Sequence, residues 1–225
     1  MRLKSALRRG VAAAVIAGIV VSSGIPAYAA RWDIANGDIT VKAGEAEGPN
    51  NVKQGDNDFV KDEGETIITG ESDKNTVTIE AENEGDKVEV TLKDLNIDAS
   101  RGSEAAVSVT GKGDTNIELD GDNELKGAYN RAGLEHNQTV DGEGNVTSGK
   151  LTIQDENNDG SLNATGKGFA AGIGGGSVKA GQVTITGGTI TATGEDGAGI
   201  GGGQGNKGTN AGNADIEISG GTIEA

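Results

Sequence analysis

The side chains best able to do chemistry in this chain are carboxylates. Asp155-Glu156-Asn157-Asn158-Asp159-Gly160 reads as D-x-N-x-D-G, the front of a calcium loop. Alternating oxygens on a tight, Gly-terminated turn suit a hard cation. Asp155, Asn157 and Asp159 are the candidate metal ligands, and calcium is the candidate cofactor. The pattern then breaks, because its twelfth position is Gly166, where the bidentate acid belongs. An ordinary turn between two strands would use the same Asp, Asn and Gly residues. Both readings stay open at this point.

His136 is the only histidine, in the polar run Glu135-His136-Asn137-Gln138-Thr139 near Arg131. It reads as an exposed loop residue, since a general base or metal ligand needs partners that the sequence does not supply. Acids are abundant enough to assemble a glycosidase pair on paper, but nothing selects one. A polysaccharide lyase would need a row of calcium-binding acids beside a base. After residue 29 the arginines are only Arg31, Arg101 and Arg131, with no such row. No catalytic residue is assigned. Aromatic platforms for sugars are few, namely Trp32, Phe59, Tyr129 and Phe169. Trp32 is expected to cover the first coil, and Phe169 to cap a corner. The AGIGGG motif lacks the Lys-Ser/Thr and the strand–helix context of a phosphate loop, and reads as a corner.

These residues must be positioned by a repeat. Ala171–Gly176 and Ala198–Gly203 both read AGIGGG, and the strand-like segments VTITGGTI and IEISGGTI accompany them. Looser copies lie upstream, such as LTI at 151–153 and IEL at 117–119. Leu92, Leu119, Ile153, Ile185 and Ile218 read as equivalent positions, spaced 27, 34, 32 and 33 residues apart. Within each strand the period is two, with Val183 and Ile185 on one side and Thr184 and Thr186 on the other. One such unit cannot bury its apolar side alone, but stacked copies can, each strand pairing with its neighbours at about 4.8 Å. The expected fold is all-β: a right-handed parallel β-helix of about five coils over 76–225. Residues 30–75 form an N-terminal cap that is partly irregular.

The first 29 residues read as a signal peptide. Arg2, Lys4, Arg8 and Arg9 precede an apolar run from Val11 to Val21, and Ala27-Tyr28-Ala29 forms an A-x-A site. Cleavage is expected between Ala29 and Ala30. The run is too short to span a bilayer, which takes about 20 apolar residues, and no later segment could do so. Arg8-Arg9 is followed by Gly10-Val11-Ala12, which favours the general secretory route over the twin-arginine one. Without the leader, 15 bases face 35 acids, a net charge of about −20. That sign disfavours nucleic acid and anionic lipid as partners. With no cysteine, stability must come from packing and hydrogen bonds. Leu, Ile, Val and Phe make up only 18% of residues 30–225. Composition alone would lean toward disorder, and the repeat argues against it.

In order along the chain, Trp32-Asp33-Ile34, Ile67-Ile68-Thr69-Gly70, Asn75–Ile79, Val90–Ile97, Thr115–Leu125 and Ala171–Thr193 resemble a family of secreted Firmicutes β-helix surface proteins that contain a carbohydrate-binding domain. The resemblance covers most of 31–225 and is specific for architecture. It implies a secreted or cell-surface location on a Gram-positive bacterium and polysaccharide or glycan partners. Three functions follow as expectations. The first is a non-catalytic, adhesin-like rod. The second is a calcium-dependent binder of acidic polysaccharide, and the third a lyase or glycosidase on the same fold. Gly221–Ala225 stops inside a unit whose earlier copy runs on to Gly203, so the chain is expected to be part of a longer protein. Oligomeric state is left open.

Overall fold

A computed structural model describes residues 30–45, 48–205 and 214–225. Residues 1–29, where a signal peptide with cleavage after Ala29 is expected, lie outside them, and Ala30 is the first residue of the first strand. The described chain is all-β, with a short 3-10 turn at Ile34–Asn36 and no α-helix.

Alternating apolar residues give short strands that face a common interior, and the strands stack in three parallel faces. Face A runs through Ala30–Asp33, residues 66–69, residues 87–93, Asp114–Asp120, Leu151–Gln154, Gly181–Ile185 and Ala214–Ile218. Face B runs through residues 70–72, residues 95–98, Asp122–Tyr129, Ser161–Lys167, Thr189–Gly194 and Thr222–Glu224. Face C runs through Ile39–Lys42, Val77–Ala81, Val107–Gly111, Leu134–His136, Ile173–Gly174 and Ile200–Gly201. From residue 66 onward the chain visits A, B and C in turn, whereas Ala30–Asp33 leads to Ile39–Lys42 of face C with no face B strand between them. At the head, Asn51–Gln54 and Val60–Lys61 add antiparallel strands to the free edge of face C. Covering that edge removes a row of unpaired backbone groups. Trp32 packs against the core there, as expected, and its Nε1 donates to Asp62 Oδ2 at 2.8 Å.

The core is a set of columns. On face A, Val90 pairs with Ile117, Ile117 with Ile153, Ile153 with Ile185 and Ile185 with Ile218. Leu119 pairs with Leu92 in the neighbouring column, so the expected alignment of Leu119 with Ile153 was one pleat out. Leu119, Ile153 and Ile185 are fully buried, whereas Ile218, on the last strand, is 49% exposed. On face C, Ile39, Val77, Val107, Leu134, Ile173 and Ile200 form one column. Fully burying one Val, Leu or Ile is worth about 1.5–3 kcal/mol, so repetition lets few large side chains hold the chain together.

The AGIGGG corners are glycine for steric reasons. A Cβ on Gly174 would stand 2.2 Å from Gly201 O, and one on Gly203 would stand 2.1 Å from Gly176 O. Successive corners therefore meet backbone on backbone, and any side chain would push the coils apart.

Candidate functional site

The Asp155 loop turns its carboxylate inward. Asp155 is buried, its Oδ1 accepts from Asp159 N at 3.2 Å, and its Oδ2 accepts from Gly160 N at 3.1 Å. Both oxygens thus fold the turn that links face A to face B. Asn157 and Asp159 stand exposed beyond it. Glu118, one coil below, accepts from Glu156 N at 2.8 Å through Oε1. Burial raises its pKa above the ordinary glutamate value, and the nearby charges of Glu156 and Asp155 add to the effect. Among the described residues, no group of three or more His, Cys, Asp or Glu is placed to hold a metal.

His136 departs from the sequence expectation. It is 2% exposed and lies inside face C, in register with Val109. Its Nδ1 is 3.1 Å from Val109 O and its Nε2 is 2.9 Å from Gly149 O. The ring ties the coil below to the return of the 137–149 excursion, so its role is structural. Arg131 turns to carboxylates instead. Its guanidinium reaches Glu135 Oε1 at 2.7 Å and Glu104 Oε2 at 2.5 Å. Glu135 is itself buried, and also accepts from Asn137 Nδ2 at 2.8 Å. Two adjacent coils are fastened at this corner.

Face B presents a regular polar grid. Ser161, Asn163 and Thr165 point outward and pair directly with Thr189, Thr191 and Thr193 on the next coil. Below them stand Asp122, Glu124 and Lys126, and above them Thr222 and Glu224. Lys126 is held by Glu124 at 2.7 Å, and that contact raises the lysine pKa. Strand geometry places these side chains about 4.8 Å apart across coils and about 6.6 Å apart along a strand. The period-two reading already put such residues outside, but pairing across coils requires the register.

The grid ends at an aromatic residue. Tyr129, in register with Lys167, is 61% exposed at the end of its strand. Phe169 is half-buried at the same corner, where its N donates to Asn130 Oδ1 at 3.2 Å. On face A, Lys150, Gln182, Thr184, Asp215 and Glu217 line a shallow cleft, with Lys150 Nζ 3.9 Å from Glu217 Oε2.

A scan against family models matches the beta helix repeat to residues 158–177 and 183–204. The chain carries β-helix repeats. The two matched stretches begin in consecutive coils and contain the grid strands of face B and both AGIGGG corners of the β-helix. A search of curated proteins and a search of solved structures each found no match.

Proposed function

We propose that this β-helix is a secreted, non-catalytic surface rod of a Gram-positive bacterium, adhesin-like, that contacts polysaccharide through face B. It winds right-handed, the sense that parallel crossover connections adopt almost without exception. The observation that carries the reading is the paired hydroxyl and amide grid of Ser161, Asn163, Thr165, Thr189, Thr191 and Thr193. A rigid, regular array of donors and acceptors suits a partner that is itself a repeating array of hydroxyls. The leader reading of the first 29 residues and the acidic, cysteine-free composition support an exported, soluble protein.

Native gel electrophoresis through soluble polysaccharides tests this. The chain is expected to be retarded by at least one of them, equally with and without a calcium chelator. Unretarded migration on all of them would contradict the reading. Retardation that a chelator abolishes would favour the calcium-dependent alternative, with Asp155, Asn157 and Asp159 as its first suspects.

A further inference from the structure

We infer that Tyr129 is the stacking platform of this surface and that it takes a neutral pyranose unit of the polysaccharide, not a polyanion. The inference rests on the glycan reading above and assigns it a residue and a ligand class.

Tyr129 is presented by built backbone. A Cβ on Gly168 would lie 2.9 Å from Tyr129 Cε2 and 3.1 Å from Cδ2, so the missing side chain is what seats the ring. The seat is itself pinned. Gly168 N donates to Glu195 Oε2 at 2.7 Å, and Asn130 N donates to Lys167 O at 2.9 Å. Gly168 and Asn130 both have positive φ, 63° and 66°, which turns the chain sharply on either side of the ring. One part of the ring thus lies on backbone, while the residue as a whole is 61% exposed.

The other aromatics of residues 30–225 are placed differently. Trp32 packs on the core, Phe59 lies under the Lys42 ammonium at 5.3 Å, and Phe169 is half-buried. Among the described residues Tyr129 is the most exposed ring, at 61% against 42% for Phe59, and it stands at the end of a strand of the face that carries the polar grid.

The surroundings select the partner. Gly168 seats the ring and the exposed Lys167 is its register partner on the next coil. The half-buried Phe169 shares this corner, its N donating to Asn130 Oδ1 beside the ring. A pyranose needs only one flat aromatic face for its C–H side, with polar groups around the edge for its hydroxyls. Glu195 and Asp196 stand exposed nearby, and residues 30–225 carry a net charge of about −20. Such a field repels an anionic polymer, whereas carboxylates accept hydrogen bonds from neutral sugar hydroxyls.

Affinity electrophoresis of the full chain distinguishes the outcomes, with a neutral β-glucan, a neutral mannan and polygalacturonate as probes. Binding to a neutral polymer should weaken at least about fivefold in Tyr129→Ala and stay within about twofold in Tyr129→Phe, which keeps the ring. If the unaltered chain binds and Tyr129→Ala binds equally well, this inference is wrong and the glycan reading survives. Binding to polygalacturonate alone overturns the neutral-ligand claim. If the unaltered chain binds no polysaccharide, both fall together.

Discussion

Glu118 shows how a single side chain can work against its own fold. Burial favours its neutral form, so the folded state holds a proton that the unfolded chain has already released. Between the unfolded and the raised folded pKa, the folded state binds more protons. Stability therefore falls as pH rises through that window, and the cost is fully present above it. Glu118→Gln removes the charge and keeps an oxygen for Glu156 N. We expect its melting temperature at pH about 7 to exceed that of the unaltered chain, by less than about 1 kcal/mol of stability, because the group is partly solvated. At pH about 3 the gain should vanish. A loss at pH about 7, or a gain that persists at pH about 3, would show that burial is not what strains the carboxylate.

At the same scale, the sequence revealed some residues and hid others. The sequence shows the D-x-N-x-D-G turn and its break at Gly166, but not that Asp159 N and Gly160 N donate to the Asp155 carboxylate, which only the structure shows. His136 was hidden because polar neighbours surround it and its strand, Leu134–His136, is only three residues long. One signal could have found it. Leu134 corresponds in register to Ile173 of the first AGIGGG motif, so His136 falls two residues later, on the same inward side.

Among the strand elements, the instructive residue is Asn123. It occupies an inward position on face B, in register with Leu162, which in turn pairs with Ile190. An amide is 2% exposed in a column otherwise made of Leu and Ile. Its Oδ1 accepts from Leu95 N at 3.0 Å and its Nδ2 donates to Ser161 O at 3.0 Å. The side chain therefore links three successive coils where the A–B corner interrupts the backbone ladder. Asn123→Leu would match the apolar column but leave the Leu95 N–H without its partner. The expected cost is about 1–3 kcal/mol in denaturant unfolding, the penalty of a buried donor left unmet. An unchanged or raised midpoint would mean that the column matters more than the amide. Register was the least legible feature at this scale. Ile117 and Leu119 both fit an alternating strand, and spacing alone could not choose which of them stands beneath Ile153.

The whole molecule was the most legible level. A chain with so few large aliphatic groups has no other evident way to bury them than to stack nearly identical coils around a thin interior. The inward residues bear this out. Leu125, Ala164 and Ala192 follow one another on face B, and all three are buried. The head was not legible, because Asn36 to Glu65 lacks period. Its antiparallel strands pair only through the edge that Ile39–Lys42 provides. Stacking also explains why the polar grid exists at all. Residues 28 positions apart, such as Thr165 and Thr193, become nearest neighbours only when one coil lies on the next.

That neighbourhood can be tested directly, because the chain has no cysteine of its own. Thr165 and Thr193 are partners on adjacent coils of face B, whereas Thr152 lies on face A. Parallel partners about 4.8 Å apart fall within the Cα range that a disulfide bridges. Oxidation of the double variant Thr165→Cys, Thr193→Cys should give an internal crosslink, read as faster migration on a non-reducing gel. The pair Thr152→Cys, Thr193→Cys should give none. Crosslinking in the second pair and not in the first would contradict the stacked coils on which everything above depends.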